Sequence, residues 1–281
     1  GTAFVARVHA ATPLKAVRVR WLDQEIRADV RPVVPAMTGS GGPGGQGVEA
    51  LVLLGMGMRG KLKGETFPLR VTVETGAGKG KDDGSERLEV QVRRRERKFP
   101  EQRLTVTSKY VTLSEADQAR AKRERQEVNA ALARSDARRF WSLPFTRPVP
   151  GEVTSVFGLR RFFNNQPRSP HSGVDLDGQA GESVRAMADG KVLLVAEHFF
   201  SGHSIYLDHG QGVISQYFHL SSTAVRQGER VVAGQVVGAV GKTGRVTGPH
   251  LHTGLRVTGQ AVDPMPLFEE PPAEHAKEKA R

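Results

Sequence analysis

Nineteen consecutive residues, Ala119 to Ala137, contain neither glycine nor proline, and they split a chain that is otherwise punctuated by both. Short apolar segments with turn signals lie on either side, so the chain must be mainly β with one interrupting helix. Before the break, Phe4-Val5-Ala6-Arg7-Val8, Leu51-Val52-Leu53-Leu54, Leu69-Arg70-Val71-Thr72-Val73 and Leu88-Glu89-Val90-Gln91-Val92 read as strands. Val17-Arg18-Val19-Arg20-Trp21 alternates, which puts Val17, Val19 and Trp21 on one face. Gly39 to Gly47 is a glycine-rich turn without the Lys-Ser/Thr and helix that a phosphate cradle needs. Gly76 to Ser85 is a polar loop. Strands at this spacing predict a β-sandwich of about 100 residues.

Ser114-Glu115-Ala116-Asp117 resembles a helix capping box. The helix after it has few apolar residues, mainly Val128, Ala131 and Leu132, which predicts a solvent-bridging link between domains. Pro144, Pro148 and Pro150 mark a linker. From Glu152 the pattern returns to strands. Lys191 to Ala196 reads as a buried strand, and Ser204–Leu207 and Val213–Phe218 as two strands joined by Asp208-His209-Gly210. Val231 to Val240 reads as a strand pair at a glycine bend, and no helix is expected in this half. The division is 1–111 for an accessory β domain, 112–140 for the linking helix, 141–268 for a second β domain, and 269–281 for a charged tail expected to be disordered.

Charge is uneven along the chain. Of the net +11, residues 1–140 carry +10 from 27 basic and 17 acidic side chains. The densest run is Arg93-Arg94-Arg95-Glu96-Arg97-Lys98, read first as a solvated strand end. Such a surface could also steer an anionic polymer. Only Phe99 and Tyr110 lie nearby as aromatics, so the stacking platform of a single-strand nucleic-acid binder is missing and no nucleic-acid partner is expected. There is no cysteine, which excludes thiol catalysis, disulfide scaffolds and cysteine-ligated zinc. No apolar run approaches the roughly 20 residues of a transmembrane helix, and no signal peptide is visible in this chain.

Four histidines and one aspartate form a pattern: His171-Ser-Gly-Val-Asp175, Tyr217-Phe-His219-Leu220 and Pro249-His250-Leu-His252. On a strand, His250 and His252 enter the same groove. Two imidazole nitrogens and a carboxylate oxygen from Asp175 suit zinc. Three protein ligands would leave a position for water whose pKa falls towards about 7. Other histidines could then act as general base or stabilise an oxyanion. His198 and His203 flank a loop that could line the groove; His209 lies in a turn, and His9 and His275 are remote. Arg160 and Arg161 read as solvated loop arginines with a possible contact to an anionic substrate.

The three segments, in this order, resemble the signature motifs of the lysostaphin/LytM-like zinc metallopeptidases. Phe157-Gly158-Leu-Arg160, Gly181-Glu-Ser-Val-Arg-Ala186, Asp189-Gly190-Lys-Val192 and Val231-Val-Ala-Gly234-Gln235-Val-Val-Gly238 agree with the surrounding pattern, over roughly residues 141–268. The resemblance implies one zinc per chain held by His171, Asp175 and His252. It implies His219 and His250 beside the metal-bound water, sharing proton transfer and stabilisation of the tetrahedral intermediate. It implies an antiparallel β-sheet peptidase domain that hydrolyses peptidoglycan cross-links or stem peptides, in the periplasm or the cell envelope of a bacterium, with a wall or envelope protein as a further partner. Residues 1–105 are loosely similar to an immunoglobulin-like module of exported members. Some members have lost ligands and only bind wall or activate amidases; this chain keeps all five positions, so the non-catalytic reading is the alternative.

Overall fold

Alternation in the first half is realised as two sheets that face each other. The computed structural model describes residues 1–32, 47–58, 64–75, 84–105 and 113–268. Most of the two glycine-rich loops, the 111/112 boundary and the charged tail lie outside the described residues. The first half contains β1 (Thr2–Ala10), β2 (Ala16–Trp21), β3 (Gln24–Ala28), β4 (Val30–Pro32), β5 (Val48–Met56), β6 (Thr66–Glu74), β7 (Ser85–Arg93) and β8 (Glu101–Leu104). One sheet has the order β1-β5-β4 and the other β3-β2-β6-β7. Their inner faces share one apolar cluster: Val17, Val19 and Trp21 from β2, Val52 and Leu54 from β5, and Leu69, Val71 and Val73 from β6. Phe4 and Phe67 pack edge-on to Trp21 at 5.1 and 6.4 Å. Leu88 and Val90 of β7 face outward and stay exposed, because no sheet covers that face of the edge strand.

Helix α1 (Glu115–Leu132) begins as the capping signal predicts: the Asp117 N–H donates to Ser114 Oγ at 3.1 Å. It is not a purely solvent-bridging rod. Ala131 is buried, and Val128 and Leu132 pack with it on Leu193, Leu194, Tyr206 and Ile214. Three small apolar residues in the last turns suffice because they meet a flat apolar sheet face.

The second half contains β9 (Val153–Ser155), β10 (Arg160–Phe163), β11 (Gln166–Pro167), β12 (Val174–Leu176), β13 (Ser183–Arg185), β14 (Gly190–His198), β15 (Gly202–Asp208), β16 (Val213–Leu220), β17 (Ser222–Thr223), β18 (Arg230–Val231), β19 (Val236–Ala239), β20 (Leu251–Val257) and β21 (Gln260–Val262). The main sheet runs β18-β14-β15-β16-β20-β12-β9, with β21 on β20, and β13-β19-β17 forms a small second sheet. Between them lie Leu176, Val184, Ile205, Tyr217, Leu220, Val237, Leu251 and Leu255, all buried. The expected pair in Val231–Val240 is instead two strands in different sheets, β18 on β14 and β19 on β13 and β17. Among the described residues of this half the one helical feature is a 3-10 turn at Met265–Leu267.

The halves touch. Gly55 on β5 lies against Val257 and Val262. Strand β8 pairs in parallel with β10, Glu101 beside Arg160 through Leu104 beside Phe163. Arg160 and Arg161 therefore sit on a strand, not on a solvated loop. Arg97 Nη1 meets Asp263 Oδ2 at 2.9 Å. The described residues contain no helix long and apolar enough to cross a membrane.

Candidate active site

Register builds the centre. Strand β12 pairs antiparallel with β20 so that Asp175 stands directly opposite His252, and residues so paired project to one face. On the other side of β20, His252 stands opposite Phe218 of β16, whose ring stacks on the imidazole at 5.2 Å and 6°. His171 reaches the same point from the loop before β12. A side chain at Gly173 would collide with the Thr253 carbonyl and the His252 ring, so only glycine lets the loop pass this close. His250 precedes β20, two residues from His252, in an isolated bridge with Gly241.

Three atoms converge. His171 Nε2 lies 3.0 Å from Asp175 Oδ1 and 2.9 Å from His252 Nδ1, and His252 Nδ1 lies 2.9 Å from Asp175 Oδ1. All three residues are buried, and they are the one set of this kind among the described residues whose atoms could share a metal ion. Two nitrogens and an oxygen crowded this closely in a low-dielectric site fit a divalent cation with nitrogen and oxygen preference. The second ring nitrogens are set from behind. His171 Nδ1 faces the Val156 carbonyl at 3.0 Å and Ser155 Oγ at 3.2 Å, so its proton goes there and Nε2 offers its lone pair to the centre.

His219 and His250 stand beside this triangle, their ring centroids 5.1 Å apart, and His219 lies 6.1 Å from the His252 ring. His250 Nε2 is 3.9 Å from Asp175 Oδ1. One loop orients both: His219 Nδ1 donates to the Thr243 carbonyl at 2.9 Å, and His250 Nδ1 to the Gly248 carbonyl at 2.9 Å. Each ring thus keeps Nε2 as an acceptor. His219 occupies the left-handed region, φ 64°, at the strand end, which turns its ring out of the sheet.

Electrostatics follow from burial. Burial pushes His219 down to about 4, aided by the charge of His252 and opposed by the Thr243 carbonyl. Burial also lowers His252. For Asp175, burial would raise the carboxyl, but hydrogen bonds from His171 and His252 outweigh it and hold it well below the usual carboxylate range. At neutral pH Asp175 is therefore a carboxylate, and His219 and His252 are neutral imidazoles.

Arg161 belongs to this site more closely than its sequence position suggests. Its Nη2 donates to Ser155 Oγ at 2.9 Å and lies 3.4 Å from Asp175 Oδ2. A cleft of about 250 Å³ runs along Thr154, Arg161, Asp175, Thr247 and His250. A larger cleft, about 670 Å³, lies between β3 and the end of α1 and contains none of the five motif residues. His198 is buried beside Glu127 of α1, 3.3 Å away, and His209 is fully buried against the Asp189 carbonyl and Ser215 Oγ, each at 2.8 Å. Neither joins the triangle. Sequence reading misses Glu124 of α1, which accepts the Phe199 N–H at 3.0 Å. That loop in turn accepts the His219 N–H through the Ser201 carbonyl at 2.8 Å. Only the excess of polar residues on a helix that should pack could have hinted at it.

Residues 169–264 match peptidase family M23. The chain is 39% identical over 114 residues to the peptidoglycan DD-endopeptidase ShyA of Vibrio cholerae, covering 40% of this chain and 26% of that protein. It is 41% identical over 105 residues to the glycyl-glycine endopeptidase ALE-1 of Staphylococcus capitis, covering 35% and 29%. The match thus spans about a quarter of the length of these relatives. A Pseudomonas aeruginosa crystal structure assigned to peptidase M23 superimposes with a TM-score of 0.62 at 28% identity, over 92% of this chain and 91% of that one.

Proposed function

We propose that this chain, whose residues 169–264 match peptidase family M23, is a zinc-dependent endopeptidase that hydrolyses peptide bonds in peptidoglycan cross-links or stem peptides, acting in a bacterial cell envelope. Relatives named as peptidoglycan DD-endopeptidases support the substrate class. The observation that carries the reading is the meeting of five side chains from three distant segments, with His171, Asp175 and His252 in mutual contact and His219 and His250 beside them. A chain that had kept the fold only to bind would have no physical reason to keep this buried cluster.

His171, Asp175 and His252 would hold the metal. A zinc ion bound there supplies a Lewis acid and lowers the pKa of water. The remaining steps belong to the protein. His219 and His250, each anchored through Nδ1, present Nε2 towards the reacting centre, where one accepts a proton and the other, once protonated, donates to the developing oxyanion or the leaving amine. The low affinity of His219 for protons keeps it neutral at neutral pH. The Thr243 and Gly248 carbonyls hold the His219 and His250 rings within the narrow geometry that proton transfer requires, and the stacked Phe218 fixes the His252 ring.

Mass spectrometry of fragments released from purified sacculi tests this. Zinc-loaded chain should release peptides with one defined new terminus, and chelator or His252→Ala should abolish release. Intact sacculi and uncleaved soluble muropeptides from a zinc-loaded chain would overturn the reading in favour of a non-catalytic wall binder.

A further inference from the structure

Helix α1 carries a polar stripe outside the five-residue centre. Arg120, Glu124 and Glu127 fall at i, i+4 and i+7, on the helix face that continues into the buried Ala131. The stripe meets the turn between β14 and β15. Glu124 accepts the Phe199 N–H with both carboxylate oxygens, each at 3.0 Å. Its side chain is 16% exposed, and Arg120 Nε donates to it at 2.7 Å. The Arg120 guanidinium lies 5.7 Å from the centre of the Phe199 ring, and Glu127 stands 3.3 Å from His198 at the end of β14. A hydrogen bond to a carboxylate is stronger than one to a neutral acceptor, so this is a firm hold on the turn.

The clamped turn sets His219 in two ways. The Ser201 carbonyl accepts the His219 N–H at 2.8 Å, at the residue whose backbone lies in the left-handed region. Such a conformation in a non-glycine residue persists only where its surroundings over-determine it. The turn is also locked to the loop that carries Thr243. A side chain on Gly202 would collide with Thr243, and one on Gly244 with the Gly202 N and the Phe200 carbonyl, so the two segments pass in direct contact. The Arg245 N–H donates to the Phe200 carbonyl at 2.9 Å, and the His203 N–H donates to Thr243 Oγ1 at 2.9 Å. The Thr243 carbonyl accepts from His219 Nδ1 at 2.9 Å. Backbone and ring of His219 thus hang on two interlocked segments, and α1 grips one of them through Glu124.

We infer that Glu124 is a positioning residue for the hydrolysis: from the linking helix it holds the Phe199–Gly202 turn, and through the Ser201 carbonyl and Thr243 it keeps His219 Nε2 aimed at the reacting centre. This deepens the peptidase reading and rests on it. Glu124 touches the turn and not the reacting atoms, so its removal should slow the chemical step and spare substrate affinity. The helix that joins the two halves then has a part in the reaction, not only in the connection.

The test uses the full chain with Glu124→Ala, Glu124→Gln and, as a control at an exposed position of the same helix, Arg125→Ala. On a soluble cross-linked muropeptide, zinc-loaded Glu124→Ala should lose about tenfold or more in kcat, with KM within about twofold and zinc content unchanged. Glu124→Gln keeps an oxygen that can accept the Phe199 N–H and should recover most of kcat, and Arg125→Ala should match the unmodified chain. Hydrogen exchange on the metal-free chain reads the same hold without turnover. The Phe199 and His219 amides should exchange about tenfold faster in Glu124→Ala, while those of Leu207 and Leu255 in the main sheet stay as slow as before. An unchanged kcat in folded, zinc-loaded Glu124→Ala overturns the inference. Equal losses in the alanine and glutamine variants, or faster exchange spread evenly over the sheet, overturn it too. If the unmodified chain cuts nothing but the exchange change stays confined to the turn and His219, the hold on His219 stands and the peptidase reading falls. If the unmodified chain cuts and Glu124→Ala cuts as fast, the peptidase reading stands and the positioning role falls.

Discussion

The two halves of this molecule bury different things. The amino-terminal sandwich fills its interior with valine, leucine, tryptophan and phenylalanine. Of the described residues with buried polar or charged side chains, none precedes Arg139, and the set includes His171, Asp175, His209, Gln216, His252 and Thr253. Buried polar groups must be paired, and they cost stability if they are not. The second half pairs these groups internally, His209 with the Asp189 carbonyl and Ser215, Thr253 with the Gln216 carbonyl, and Asp175 with His171 and His252, whereas the described residues of the sandwich bury none.

The largest break in that comparison comes from the carboxylate itself. Asp175→Ala should lower peptide hydrolysis by on the order of 10³-fold or more, because the cation loses its anionic ligand. Zinc content, read by elemental mass spectrometry, should fall well below one per chain. Chelation of the unmodified chain should lower the melting transition of the second half and leave that of the sandwich in place, since only the former gains by ligand linkage. Full zinc occupancy in the variant would show that another residue completes the set.

A second break tests whether the halves are mechanically separate. A Cβ on Gly55 would lie 2.9 Å from Val262 Cγ1 and 3.2 Å from Val257 Cβ, both on fully buried residues. Gly55→Val should cost roughly 1–3 kcal/mol by overpacking and lower the melting temperature by several degrees. Hydrolysis by the folded fraction should stay close to unchanged, because the clash falls on Val257 and Val262, at the opposite end of β20 from His252. A large loss of kcat would show that the sandwich holds the catalytic sheet in shape.

Acid should separate the halves as well. Burial lowers the pKa of His209 and brings His219 down to about 4, so in the folded state both stay neutral where a free histidine protonates. The unfolded chain then binds more protons below the ordinary value of about 6.5, and stability falls as pH drops through that range. The loss should run from about pH 6.5 towards 4 in the second half. The sandwich holds a single histidine, His9, on β1 and should respond less. Hydrogen exchange at pH 7 and 5 measures it; equal acid sensitivity in the two halves would contradict the assignment.

Much of this contrast is legible in the chain. Val17, Val19 and Trp21 alternate and are all fully buried, and the motif residues His171, Asp175 and His252 lie in mutual contact with His219 and His250 beside them. These signals are local or pair residues of unmistakable chemistry. The β8–β10 pairing is not legible, because two short strands with exposed arginines and glutamates carry no period and meet across the domains. Docking of α1 is hidden for a related reason: Val128, Ala131 and Leu132 look too sparse until the face formed by Leu193, Leu194, Tyr206 and Ile214 is known. Arg161 reads as a solvated arginine because its value depends on where Ser155 and Asp175 come to lie in space.

The smallest effect expected is at the charge contact between the halves. Arg97 Nη1 and Asp263 Oδ2 are 2.9 Å apart, but the arginine side chain is 47% exposed and the aspartate 9%. An exposed partner is screened and loses rotamer freedom on pairing, so Arg97→Ala should cost no more than about 1 kcal/mol. Asp263 keeps the Met265 N–H as a donor at 3.2 Å, which limits the cost of leaving its carboxylate behind. The difference between variant and unmodified chain, measured by urea unfolding, should shrink further in about 1 M salt, where the screening length is about 3 Å. A cost above about 3 kcal/mol that ignores salt would mean the pair is desolvated and ties the halves into one unit. A small, salt-sensitive cost would instead mean that apolar packing at Gly55 and the β8–β10 ladder hold them together.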